Sequence, residues 1–216
     1  LRFYHAMYQV MMFGMNLALI ANNIGLMWVA IELATLATVL MVGIYRTHEA
    51  LEAAWKYFIL ASVGIAFALF GTILVYMAAR PVIGEGKDAM VWTALIEKAA
   101  GFSPELLNVA FIFLMLGYGT KVGLAPLHAW LPDAHAEGPT PISAVLSGLL
   151  LNVALYSVMR GIPPSFVRAA LSLGARPSTA FLRVYLPMSM PGVAAGCLLT
   201  GVLGCDYLYT LGPFAH

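Results

Sequence analysis

The sequence predicts an all-α polytopic membrane protein of about six transmembrane helices, one of them broken, because its apolar stretches are long enough to span a bilayer. Of the 216 residues, 62% are hydrophobic and only 10% are charged, against about 45–50% and roughly 25% in average soluble domains. A mean hydropathy of +0.88 leaves more apolar surface than one core of this length hides, and lipid is the remaining solvent. Eleven Lys and Arg against ten Asp and Glu, a formal net charge of +1, give no electrostatic footprint for nucleic acid. The two cysteines, Cys197 and Cys205, suit neither a disulfide framework nor a clustered metal site. Only Arg2 precedes the apolar run from Phe3, so a cleaved signal peptide is not expected and the chain reads as an internal piece of a longer one.

The spans follow in order. Residues 3–31 carry no Asp, Glu, Lys or Arg, and Asn22-Asn23-Ile24-Gly25 divides this region into one helix over 3–21 and a second over 24–45, with Glu32 near the middle of the second. After a polar loop over 46–54, residues 57–79 are uncharged, with Lys56 at the entry and Arg80-Pro81 as a stop. The loop over 80–104 holds Lys87, Asp88, Glu97 and Lys98, and its amphipathic stretch over 92–100 suits the plane of the interface. A fourth span over 105–131 contains Lys121 and is interrupted by Pro126 and Pro132, which cannot donate interior helical hydrogen bonds, so the helix is expected to break. A fifth covers 141–159 and a sixth 187–210, with the polar segment 160–186 between them.

Alternating these spans puts Arg80, Lys87, Lys98, Arg160, Arg168, Arg176 and Arg183 on one side, against Arg2, Arg46 and Lys56 on the other. The positive-inside rule makes the first side cytoplasmic, with the last three arginines carrying most of the bias.

Glu32 and Lys121 are the charges deepest inside apolar spans. A charge at the bilayer centre costs about 2.5–3.5 kcal/mol on insertion scales, and such residues mark ion pathways and proton relays. Burial pushes a lysine toward neutrality and a carboxylate beside it favours the ammonium, so moving the partner moves the proton. The competing reading is a structural ion pair locking two helices. Lys56, at the mouth of its span, is either a relay member or an interfacial anchor. His128 follows Lys121 by two helical turns, which suggests one face, although Pro126 lies between them. His128, Asp133 and His135 have no spacing diagnostic for a metal, and a proton-carrying loop or helix cap suits them better. A helix broken at mid-membrane exposes carbonyls that need protein or water around them, which predicts water near Lys121. Asn152, within the fifth span, can bond a water or a neighbouring helix. No phosphate loop, dinucleotide fingerprint or Cys-x-x-Cys pair is present, so no cofactor is expected on this chain and nucleotide or iron–sulfur chemistry falls to a partner.

Three motifs together are distinctive: Asn-Asn-Ile-Gly-Leu-Met-Trp-Val-Ala-Ile-Glu at 22–32, Ala-Ala-Trp-Lys-Tyr at 53–57, and Lys-Val-Gly-Leu-Ala-Pro-Leu-His-Ala-Trp-Leu-Pro-Asp-Ala-His-Ala-Glu-Gly-Pro-Thr-Pro at 121–141. Residues 3–160 thereby resemble the antiporter-like proton-translocating subunits of respiratory complex I, membrane-bound hydrogenases and multisubunit sodium/proton antiporters. The wording is most similar to the hydrogenase-4 component F type. The resemblance implies that Glu32 is the channel glutamate, Lys121 the lysine of the broken helix, and Lys56 the lysine opening the intervening helix. Asn152 stands where many complex I members carry a second lysine, which implies that His128 or water takes the next proton step. Such subunits are built from inverted repeats, of which residues 1–160 would hold the first. The resemblance further implies a membrane subunit of an oxidoreductase complex with no redox centre of its own, partnered by other membrane subunits of a redox-driven proton pump in a bacterial or archaeal plasma membrane.

Residues 161–216 resemble something different. Arg168-Ala169-Ala170, Gly174 and the later Leu186-Pro187 are similar to the coupling loop of binding-protein-dependent ABC transporter permeases. That resemblance implies docking on an ABC ATPase subunit, although Arg168 stands where a Glu is usual. The chain is therefore divided at residue 160, and three functions are open: a proton-translocating subunit fragment, an ABC permease fragment, and a non-transporting fusion or structural fragment.

Overall fold

The computed structural model describes residues 2–124 and 127–161. Pro126, the predicted span over 187–210, and Arg168, Ala169, Ala170, Gly174, Leu186 and Pro187 lie outside the described residues. Within them every regular element is helical, and a single isolated bridge pairs Asn23 with Val91.

Helix α1 (Arg2–Ile20) turns at Asn22 into α2 (Ile24–Val42). The polar punctuation there is a cap: Asn23 Oδ1 accepts from the backbone N–H groups of Gly25 at 2.9 Å and Leu26 at 3.0 Å, two donors with no partner inside the helix. A short 3₁₀ turn at Gly43–Tyr45 and Arg46 in the left-handed conformation, φ 55°, reverse the chain into α3 (His48–Ile83). This helix is longer than the predicted span at both ends. The expected polar loop forms its first turns, because Thr47 Oγ1 accepts from Ala50 N at 3.1 Å, Glu49 favours the helix N-terminus, and the run Glu-Ala-Leu-Glu-Ala-Ala is rich in strong helix formers. Nor does Pro81 stop it. A proline this near the end removes one hydrogen bond, and the helix ends two residues later at Ile83, capped by Gly84 at φ 105°, a conformation that favours glycine.

The segment after α3 folds back as a 3₁₀ turn at Lys87–Met90 and a short helix, α4 (Trp92–Lys98). Asn22 anchors α4, accepting from Trp92 N at 3.0 Å through its carbonyl and donating to Thr93 Oγ1 at 3.0 Å through its amide. Helix α5 (Pro104–Val122) then returns alongside α3. It ends at Gly123, φ 75°, so the break comes before the expected Pro126: a left-handed glycine terminates the helix by conformation. Pro132 occupies the first turn of α6 (Leu131–Glu137), where a missing N–H costs nothing and the ring starts a helix. The last part is α7 (Thr140–Val145), a π turn at Leu146–Leu150, and α8 (Leu151–Gly161).

Among the described residues four segments, Ile24–Tyr45, His48–Ile83, Pro104–Val122 and Thr140–Ser157, are long and apolar enough to cross a membrane. Helix α1 covers the first predicted span but carries Arg2, His5, Gln9 and Asn16 and is not one of the four. Phe13, Trp55, Ile20 and Ile112 are each more than half exposed, an outer surface suited to lipid rather than water. Inside, helices meet through small residues. A Cβ at Gly117 of α5 would stand 2.6 Å from Ala68 Cβ of α3, and one at Gly14 of α1 would stand 2.8 Å from the Ala30 carbonyl of α2. In lipid, where apolar burial does not drive helices together, such close approach supplies the contact energy.

Candidate functional site

Three helices bring the site together. Glu32 and Thr35 are one turn apart on α2 and share a face, while Lys121 lies in the last turn of α5, where the helix's unpaired carbonyl end favours a cation. The Lys121 side chain is only 4% exposed, and its Nζ stands 3.5 Å from Glu32 Oε2. That is a charge contact without hydrogen-bond geometry, since Glu32 Oε2 is buried with no hydrogen-bond partner. The nearer partner is Thr35: Lys121 Nζ donates to Thr35 Oγ1 at 2.8 Å, and Thr35 in turn donates to the Ile31 carbonyl at 2.9 Å.

The wall behind this pair is aromatic. Tyr57 of α3 is fully buried, stacks on Trp130 with ring centroids 4.5 Å apart, and sets its hydroxyl beside Thr35 and Thr38 without a hydrogen bond of its own. Trp130 Nε1 donates to the Thr120 carbonyl at 2.8 Å. That carbonyl also accepts from Gly123 N at 3.3 Å, and the indole bond pins the turn after the break onto the residue preceding Lys121.

Lys56 occupies a different place. Its Nζ lies 2.8 Å from Glu52 Oε1 and 2.9 Å from Asp133 Oδ2, and its side chain is 49% exposed. These groups, with Glu49 and Glu137, border a cavity of about 160 Å³. The contact clamps α6 to the start of α3.

His128 is exposed in the turn after the break. The shared-face expectation for Lys121 and His128 fails, because α5 ends at Val122, well before His128. His135 Nδ1 donates to the Leu131 carbonyl at 2.9 Å, which leaves Nε2 buried without a partner. Burial lowers the proton affinity of His135, and the bond to Leu131 offsets part of that. Asn152 sits exposed on α8 just past the π turn and donates to the Gly148 carbonyl at 2.6 Å. The structure therefore joins Glu32 with Lys121 and Lys56 with Asp133, and brings neither His128 nor Asn152 into hydrogen-bond contact with Lys121. Among the described residues no three His, Cys, Asp or Glu side chains gather as metal ligands would. Thr35 and Tyr57 escaped the sequence reading, although counting one helical turn from Glu32 reaches Thr35.

A membrane-embedded helical chain with a buried Lys–Glu pair beside a helix break defines the class, and the comparisons narrow it. Residues 21–173 match the model of the NADH:quinone oxidoreductase/Mrp antiporter transmembrane family. The chain belongs to that family and is an integral membrane protein of a bacterial or archaeal plasma membrane. It is 73% identical over 160 residues to a hydrogenase-4 component F homolog of Methylacidiphilum infernorum, covering 74% of this chain and 34% of that one. To an NADH-quinone oxidoreductase subunit N of a Paenibacillus species it is 33% identical over 141 residues, covering 65% of this chain and 26% of that one. Among solved structures, respiratory complex I from Thermus thermophilus with bound aureothin superposes with a TM-score of 0.62 at 26% identity, over 88% of this chain and 43% of that one. An archaeal membrane-bound sulfane sulfur reductase gives 0.64 at 25% identity, over 71% and 30%. The chain thus spans about a third or less of these curated relatives. The family match runs past the boundary expected at residue 160, and none of these matches supports an ABC permease.

Proposed function

We propose that this chain is the part of a proton-translocating membrane subunit, in a complex I-like or membrane-bound hydrogenase complex, that carries a Glu32–Lys121 relay. The observation that carries this reading is a lysine 4% exposed, 3.5 Å from a carboxylate, in the last turn of an apolar helix long enough to cross a membrane. A buried ion pair is poor value as a fastener, because desolvating both charges offsets most of their attraction. As a switch it works: separating Glu32 from Lys121 removes what favours the ammonium, and Lys121 releases its proton into the region opened by the break. Reclosing the pair restores the proton affinity. The partners are other membrane subunits of a redox-driven pump, with electrons handled elsewhere. The division at residue 160 is part of the same proposal, with 161–216 as a separate permease-like segment.

The test is proton uptake into membrane vesicles holding the complete parent complex, driven by a potassium diffusion potential and read with a pH-sensitive dye. Lys121→Ala and Glu32→Gln are each expected to reduce uptake to background. Wild-type uptake in either variant, at equal complex content, would refute the relay.

A further inference from the structure

We infer that Thr35 is a positioning residue for the relay, the neutral hydrogen-bond acceptor that holds Lys121 while its contact with Glu32 is open. This deepens the relay reading and rests on it.

The geometry of the three side chains carries the assignment. Lys121 Nζ is within hydrogen-bond distance of Thr35 at 2.8 Å and out at 3.5 Å from Glu32. The structure therefore has the lysine hydrogen-bonded to the hydroxyl, with the carboxylate oxygen in charge contact only. Polarity is settled by the far side of Thr35. Its own hydrogen is committed to the Ile31 carbonyl at 2.9 Å, so toward Lys121 the oxygen can only accept. An amine and an ammonium both donate, so the same bond serves Lys121 before and after it loses its proton. No bond to hydrogen in Thr35 breaks at any stage, and the proton leaves Lys121 without passing through the hydroxyl.

Other buried threonines set a contrast. Thr38 bonds the Ala34 carbonyl at 2.7 Å and Thr72 the Ala68 carbonyl at 2.8 Å, the ordinary back-bond of a helical threonine. Neither receives a lysine. A buried ammonium without an acceptor is costly, so removing Thr35 favours the closed pair with Glu32 over the open one.

The experiment compares Thr35→Val, which keeps the shape and deletes the acceptor, with Thr35→Ser, which keeps the acceptor, in vesicles holding the complete complex and driven as above. Thr35→Val is expected to slow proton uptake about tenfold, the scale of a hydrogen bond to a charged group, and Thr35→Ser to stay near wild type. Equal losses in both would assign Thr35 to packing and overturn the inference. So would wild-type uptake in Thr35→Val while Lys121→Ala is inactive, an outcome that leaves the relay standing. Wild-type uptake in all three variants would instead bring down the relay itself. If Thr35→Val lowers complex content, Thr35→Cys, a weaker acceptor of similar shape, takes its place with the same direction of effect expected and the same outcomes overturning the inference.

Discussion

Lys121 and Lys56 both face carboxylates, and the environments of the two pairs decide what each can do. Lys56 touches Glu52 and Asp133 at 2.8 and 2.9 Å with its side chain half in the open. Water and salt reach every member, so the attraction is screened and contributes little. Lys121 stands farther from Glu32, yet it is 4% exposed, where solvent and salt screen the contact far less than they do at the surface. Under the proposed relay, the exposed contact is the fastener and the buried one the switch.

The largest expected contrast is between alanine substitutions of the two lysines. Lys121→Ala should abolish dye-detected proton uptake, whereas Lys56→Ala should retain most of it. Loss of uptake in Lys56→Ala at normal complex content would make Lys56 a relay member and erase the distinction. Next in size is Gly117→Leu, which forces a side chain into Ala68 where α3 and α5 meet. Overpacking of this kind costs about 1–3 kcal/mol, so thermal unfolding of the purified complex should begin at lower temperature, and an unchanged unfolding temperature would show that α5 can shift without cost.

Salt sharpens the comparison at smaller scale. Near 1 M salt the screening length falls to about 3 Å, so a slight lowering of the unfolding temperature by Lys56→Ala at low salt should vanish. A deficit that persists would be the lost packing of the lysine stem. The smallest effect concerns His135, held neutral by burial with its Nδ1 hydrogen on Leu131. Its proton affinity is lower folded than unfolded, so the unfolded chain takes the proton first. The stability it contributes is therefore present above the unfolded value of about 6.5 and declines as pH falls through it. Unfolding temperatures measured from about pH 7.5 down to about 5.5 should fall less steeply for His135→Gln than for wild type; parallel curves would clear His135 of that role.

Much of the fold was legible because lipid imposes a simple rule: backbone groups must be paired within a segment, so long apolar runs become helices. Asn23 as a boundary, the short helix near Trp92 and a break after Lys121 all follow from local chemistry. The site was legible only in part. Glu32 and Lys121 stood out because a charge in an apolar run is costly, and that cost is visible one residue at a time. Thr35 and Tyr57 were not, because a threonine or tyrosine in such a run is unremarkable until another helix presents a lysine or an indole to it.

What the sequence determined by itself is therefore the solvent, the helical class and the two costly charges, all properties of single residues or short windows. Tertiary structure decided the rest: that Gly123 rather than Pro126 ends α5, that Lys121 rests on Thr35 with Glu32 at 3.5 Å, that Lys56 is tied to Asp133 77 positions away, and that His128 is left at the surface. These are distances between residues remote in the chain. They depend on how closely α2, α3 and α5 approach one another, which small residues at each crossing set jointly and no single segment encodes.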